Sequence, residues 1–322
     1  MKLKYIITII LLNIISTYIF SQDAHLSQYD MSPVWLNPAQ TGMDKNLKFR
    51  AGNQSRSQWV SSTAKYINNV FAYDMPLDAH WGVGGYISDD DAAKMLNVFK
   101  FVLSASYQIT NDNDKHYLAG GLQVGMIYKN IDENRMIFDN QWNDGVFDDD
   151  LPSGESLEKY HEILPEVNVG MYYKFKNGIK KYKPYAGFSI FHATNPRENF
   201  TGAEKANLPM RFQFNAGSKF LINDKLTLEP MALYMRQRTA YELIGGTKGY
   251  YNFNDDLQLI MGGYYRLHDA VIILAGIKYK NLIFQSSYDI NISDLSVYTN
   301  RHGGFEFSII FISKQKGYKP SM

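Results

Sequence analysis

From about Leu47 onward, apolar and polar positions alternate with period two, the pattern of strands with one face buried and one face wet. Met210, Phe212, Phe214 and Ala216 share one face of an extended segment, and Arg211, Gln213, Asn215 and Lys219 share the other. Val271, Ile273, Ala275, Ile277 and Tyr279 stand opposite a face that ends in Lys278 and Lys280. Leu118, Leu122, Val124, Met126 and Tyr128 oppose Gln123 and Lys129, and Phe305, Phe307, Ile309 and Phe311 oppose Glu306 and Ser308. The last alternation fades where Ile310 and Ile312 make the second face apolar as well. Fourteen such segments follow one another, at 46–55, 61–75, 80–88, 94–110, 115–130, 162–176, 180–193, 207–222, 225–238, 240–254, 257–268, 270–280, 281–292 and 303–313.

The connections alternate too. Every second one is short and carries turn residues, such as Pro76, Asn177-Gly178 and Asn223-Asp224, whereas the connections between them include the long 131–161, 193–207 and 293–302. Short turns on one side and longer loops on the other describe an up-and-down barrel in an outer membrane, periplasmic turns inward and long loops outward. Backbone groups in lipid have no water to bond, so the sheet must close. The expected fold class is therefore all-β, a transmembrane outer-membrane β-barrel of about 14 antiparallel strands with an N-terminal non-barrel segment. Lipid is its outer partner. The wet face becomes the lumen, which assigns Arg211, Gln213, Asn215, Lys219, Lys278, Lys280 and Glu306 to the interior. The pairs Gly84-Gly85, Gly120-Gly121, Gly245-Gly246 and Gly262-Gly263 read as strand kinks that help the sheet curve.

Ahead of the strands, Lys2 and Lys4 precede an apolar run from Tyr5 to Phe20, with Ser21-Gln22 as a cleavage point. That is the form of a secretory signal peptide. The chain divides into 1–21 signal peptide, 22–45 plug-like or periplasmic segment, 46–313 barrel and 314–322 basic tail, with both mature ends expected in the periplasm. Removing 1–21 leaves 31 Lys+Arg against 32 Asp+Glu, a balance that argues against a nucleic-acid partner. There is no cysteine, while 24 Tyr and 19 Phe supply the aromatic girdles of a barrel.

A search for catalytic motifs finds none, and no cofactor is implied. The seven histidines are scattered without an i, i+4 pair and read as turn or rim residues. Asp89-Asp90-Asp91 and Asp148-Asp149-Asp150 read as acidic outer loops, with calcium binding a weaker alternative. The expectation is a protein that works by binding and not as an enzyme.

Residues 25–42, HLSQYDMSPVWLNPAQTG, are different in kind. They contain two prolines and two aromatics, close on a glycine and lack alternation, the composition of a structured segment packed in or under the barrel. Leu26-Ser27-Gln28-Tyr29 and Pro33-Val34-Trp35-Leu36-Asn37-Pro38-Ala39-Gln40-Thr41-Gly42 resemble the opening motifs of the PorP/SprF family of type IX secretion proteins. Phe49-Arg50, an Arg56-Ser57-Gln58-Trp59 loop, Tyr73-Asp74, Trp81 to Gly85, Gly121 to Gly125, Phe138 to Gln141 and Ser287-Tyr288-Asp289-Ile290 follow in the family's order. Two positions depart from its pattern: Gly303-Gly304-Phe305-Glu306 keeps only the acid of a late S-H-E signature, and Asn215 stands where a histidine is usual. The resemblance implies a part in secretion or surface retention of a partner with a C-terminal sorting domain of the gliding-adhesin type, alongside other type IX components at the periplasmic face. Gln28, Trp35, Asn37, Pro38, Gly42, Arg56, Gln58 and Trp59 are the expected partner-binding residues. A diffusive channel for small solutes and a purely structural barrel subunit are the alternative functions.

Overall fold

The computed structural model describes residues 23–58, 65–110, 115–132, 135, 139–143, 146–148, 151, 159–176, 181–198, 200, 207–296 and 301–315. The strands are β1 (Leu47–Gln58), β2 (Tyr66–Pro76), β3 (Trp81–Ala92), β4 (Leu96–Gln108), β5 (His116–Ile131), β6 (Trp142–Asn143), β7 (Val146–Phe147), β8 (His161–Phe175), β9 (Tyr182–Phe191), β10 (Arg211–Leu221), β11 (Leu226–Gln237), β12 (Ala240–Asn252), β13 (Leu257–Arg266), β14 (Ala270–Tyr279), β15 (Leu282–Asn291) and β16 (His302–Lys314). Fourteen of them close into one barrel of antiparallel neighbours, sealed by β1 against β16. β6 and β7 form a small separate hairpin inside the β5–β8 connection. The all-β barrel and its strand number thus agree with the sequence pattern.

The pleat sets the two surfaces. Along β10, Arg211, Gln213 and Asn215 are buried while Phe212 and Phe214 are exposed to the outside. The same alternation exposes Leu103, Leu122, Met171, Met261 and Ile273 on the outer, lipid-facing wall. Strands of 10 to 16 residues are long enough to cross a bilayer with tilt. Asp89, Asp90 and Asp91 lie within β3 and not in a loop, a correction to the sequence reading. Asp90 faces inward and accepts from Asn68 at 3.0 Å, and Asp89 accepts from Asn97 at 2.8 Å. Asp149 and Asp150 lie outside the described residues.

Inside the barrel runs the N-terminal segment, as three single turns: Tyr29–Met31, Pro33–Leu36 and Pro38–Gln40. Its start lies at the long-loop end, where Asp23 meets His192, Arg211 and Gln237. Its finish lies at the short-turn end, where the Gly42 amide donates to Asp74 and Lys45 to the Trp81 carbonyl. The last described residue, Gln315, also sits at that end and donates to Asn46 O at 3.0 Å. Asp23 and Gln315 thus lie at opposite ends of the lumen, the segment running through it before β1 begins; the chain ends themselves, expected on one side, lie outside the described residues.

Candidate functional site

The built site of this molecule is the seam between the N-terminal segment and the inner wall. At its centre are two inward acids on adjacent strands. Glu306 of β16 accepts the backbone amides of Ser27 at 2.7 Å and Gln28 at 3.0 Å, and Arg56 at 3.3 Å. Asp289 of β15 accepts Arg56 Nη2 at 2.8 Å, Arg266 Nη1 at 2.9 Å and the Ser27 hydroxyl at 2.8 Å. Ser27 Oγ also meets Arg56 Nη1, and Arg266 Nη2 donates to it at 2.7 Å. Arg56 and Glu306 are direct cross-strand partners, and Asp289 lies on the inward face of β15 with Gln285 and Ser287, within reach of both arginines. Buried charges are tolerated only when paired and hydrogen-bonded, and here each carboxylate has both conditions met.

Gln28 has every polar group of its side chain engaged: it donates to Ser287 Oγ and Glu306 O at 3.0 Å, and accepts from Gln285 at 2.9 Å and Ser308 at 2.8 Å. Toward the long-loop end, Asp23 gathers His192 at 2.6 Å, Arg211 at 3.0 Å and Lys100 at 3.2 Å, and His192 binds Glu166 through its other nitrogen at 2.6 Å. Burial pushes the Asp23 carboxyl up, but His192, Lys100 and Arg211 together hold it well below the usual carboxylate range. His25 lies 3.3 Å from Glu242. His192 does open the turn after β9, at φ 55°, but its ring points inward and is buried, whereas His25 lies in the N-terminal segment and not in a turn or rim of the barrel.

Further along, Trp35 packs edge-on against Tyr86 with ring centroids 4.9 Å apart. Asn37 donates to the Met171 and Phe188 carbonyls at 3.1 and 3.2 Å while its own carbonyl caps Ala39 N at 2.9 Å. The wall makes room with glycines. A methyl at Gly121 would meet Pro38 and Ala39 backbone, and one at Gly170 would meet the Asn37 side chain. Close approach of the segment, and not curvature alone, therefore requires Gly121. Gly42 adopts φ +57° so that its amide reaches Asp74 at 2.7 Å, an acid clamped in turn by Arg50 through two 2.8 Å bonds.

The expected partner-binding residues fare differently from the sequence reading. Gln28, Trp35, Asn37, Pro38, Gly42 and Arg56 are buried in the seam between the N-terminal segment and the wall. Arg56 and Gln58 are strand residues of β1 and not a loop, and Trp59 lies outside the described residues. Among the residues assigned to the lumen, Arg211, Gln213 and Asn215 are buried, and Glu306 lies at the seam's centre. Lys219 and Lys278 face the short-turn mouth. Lys280 is an exposed turn residue at φ 53°, its ammonium over the outward Tyr279 ring, and is corrected accordingly. Sequence reasoning missed Ser27, Asp23, Lys100, Glu166, Glu242 and Arg266 as members of the seam. For Lys100, Glu166, Glu242 and Arg266 a charge on the inward parity of a strand was the available signal.

Among the described residues no cluster of His, Asp and Glu is arranged to hold a metal ion. A closed barrel with an exposed apolar outer wall and a lumen occupied by its own N-terminal segment is an outer-membrane barrel of the plugged kind. The sequence matches the family described as type IX secretion system membrane protein PorP/SprF over residues 19–311, and the chain belongs to that family. No curated protein matches it by sequence. Its fold is similar to the toluene transporter TbuX of Ralstonia pickettii, with 12% identity, TM-score 0.53, and 86% of this chain and 92% of that one covered. It is also similar to the toluene transporter TodX of Pseudomonas putida, with 10% identity, TM-score 0.52, and 88% and 93% covered. At such identities the likeness shows the fold alone.

Proposed function

We propose that this barrel serves type IX secretion by holding a secreted partner with a C-terminal sorting domain at the outer membrane, by binding and without catalysis. The observation that carries this reading is the filled lumen, taken with the family. Among the described residues a segment bonded to the wall occupies the interior from Asp23 to Gly42, which favours the two rims over an open conduit as the surfaces that meet partners. The long loops face outward and meet the secreted partner, and the short turns face the periplasm and the rest of the machinery. The deciding experiment deletes the gene in its native cells and restores it with chains whose 193–207 loop is shortened. Surface levels of the sorting-domain protein, read by protease accessibility at equal barrel abundance, fall if the reading is right. Unchanged surface levels after full deletion end it.

The transporters that share the fold support a second reading, passage of small apolar molecules. In this chain it requires the N-terminal segment to move, since Leu36, Tyr29 and Trp35 occupy the lumen. Uptake of toluene into liposomes holding the purified barrel separates the two: transport at a rate above empty liposomes favours the channel.

A further inference from the structure

We propose that the inner wall of the barrel is a binding groove for a linear, acid-bearing polypeptide segment, which the chain's own residues 23–42 fill and which a segment of another polypeptide can take over. The first ground is what the wall recognises. Glu306 accepts two consecutive backbone amides, Ser27 at 2.7 Å and Gln28 at 3.0 Å, and Gln54 donates to the Gln28 carbonyl at 3.0 Å. Gln123 donates to the Val34 carbonyl at 2.8 Å, and Gln213 and Ser189 both donate to the Leu36 carbonyl, at 2.5 and 3.4 Å. Ser106 donates to the Thr41 carbonyl at 2.5 Å, and Asp74 accepts the Gly42 amide at 2.7 Å. All of these contacts go to main chain, which every polypeptide carries. Main-chain hydrogen bonds give a peptide site its affinity, and side-chain pockets give it selectivity.

The second ground is that the segment is separable from the sheet. It adds no strand, and the barrel closes through β1 and β16 without it, so its departure breaks no ladder bond. A cavity remains between its residues 31–34 and the wall at Gly52, Gln54 and Ile310, so its middle is not packed tight. It joins β1 through residues 44–46 at the short-turn end, where Asn46 is exposed.

The chemistry of the occupant follows from the charges of the wall. Asp23 pairs with His192, Arg211 and Lys100, and Asp30 pairs at 2.6 Å with the buried ammonium of Lys248. An apolar occupant would leave these cations buried without a counterpart, which is strongly unfavourable. The groove therefore takes a chain with one carboxylate four residues before a Ser-Gln pair and another two residues after it. The Ser-Gln pair is read by Asp289 and Arg266 on the serine, and by Ser287, Gln285 and Ser308 on the glutamine. A second copy of this chain cannot donate its segment from an intact barrel. Fourteen strands about 4.8 Å apart make a wall about 21 Å across before tilt widens it, whereas the joint from Met43 to Leu47 spans at most about 14 Å. The occupant is thus a terminus or long loop of a different polypeptide. None of this rests on the secretion reading.

The test uses the full chain in detergent micelles, with a site for a sequence-specific protease inserted between Lys45 and Asn46. The probe is a synthetic peptide of residues 23–43 with a fluorophore on its Met43 end. After the cut the barrel keeps its folded, heat-modifiable band, and excess labelled peptide enters that band as the resident fragment leaves, read by fluorescence and mass spectrometry. Peptides with Gln28→Ala, or with Asp23→Asn and Asp30→Asn together, bind about tenfold or more weakly, because buried wall groups lose their partners. A Ser32→Ala peptide binds as the parent does, since the Ser32 hydroxyl bonds to no described residue. Loss of the folded band on cutting overturns the proposal, as does failure of the labelled peptide to enter. Equal uptake of a scrambled peptide also overturns it. If the insertion itself prevents folding, the labelled peptide is present while the wild-type chain refolds, and its absence from the folded band is again decisive against the groove. Surface levels of a secreted partner enter none of these readings, so the secretion reading stands or falls separately.

Discussion

Arg56 shows how much one side chain carries in this barrel. It is fully buried, and it joins β1, β15, β16 and the N-terminal segment through Glu306, Asp289 and Ser27. Removing one member of a buried ion-pair cluster leaves charges without a counterpart, at a cost of about 3–5 kcal/mol. Arg56→Met is expected to lower the urea midpoint of the heat-modifiable folded band markedly, and Arg56→Lys to lower it less. An unshifted midpoint in Arg56→Met would contradict the seam's role. Asp23 supplies the pH dependence at the other end. Its carboxyl titrates well below 3.8 in the folded chain, so its stabilising charge is present above that value and is lost as pH falls through the depressed range. Fluorescence of Trp35, which packs on Tyr86 near Lys100, is expected to change as pH falls through that depressed range. In Asp23→Asn the altered signal is expected already at neutral pH. The motif of 25–42 was readable in sequence as a structured segment, but its contacts were not, since nothing local in Ser27 or Gln28 says which strand will face it.

At the scale of elements, the two faces of each strand are subject to different solvents. Phe214 is exposed on the lipid side of β10, and a charge there costs about 2–4 kcal/mol near the bilayer midplane. Gln213 beside it would be the tolerant site if the lumen held water. Instead Gln213 is buried and donates to the Leu36 carbonyl at 2.5 Å. Both Phe214→Arg and Gln213→Arg are therefore expected to reduce folded protein on gels, by different routes. Only Gln213→Arg should be rescued by deleting 25–42; rescue of Phe214→Arg by that deletion would show the register to be wrong. The filled lumen also explains where alternation fades: Ile272, Leu274 and Ile310 face inward yet are apolar, because Tyr29, Leu36 and the 31–34 stretch lie against them in place of water. Gly121→Val places branched carbon where Pro38 and Ala39 run, and is expected to loosen the segment and raise conductance in planar bilayers above the wild-type level.

For the whole molecule, the consequence of threading is that the first described residue and the last lie at opposite ends of the lumen. In this cysteine-free chain, single cysteines report sidedness directly. Thr194→Cys on the β9–β10 connection is expected to react with a membrane-impermeant maleimide on intact cells, and Asp224→Cys in the β10–β11 turn only after permeabilisation. Ala24→Cys, next to Asp23, should behave as Thr194→Cys does. Labelling of Asp224→Cys on intact cells would reverse the orientation of the barrel.

The sequence by itself determined the sheet. A pleat of period two, hydrophobic on one side and punctuated by turns of alternating length, has one low-energy arrangement in lipid, and the strand number and closure follow from it. The family followed as well, from the Pro33–Gly42 and Arg56–Gln58 motifs. What only the tertiary structure decided is the content of the lumen. Whether an inward Arg or Glu meets water, a ligand or another part of the same chain depends on partners two hundred residues and more away, as with Ser27 and Glu306 or Ser27 and Arg266. Periodicity records which side of a strand is wet or greasy on average. It carries no information about a segment that arrives from elsewhere and replaces the water with its own backbone.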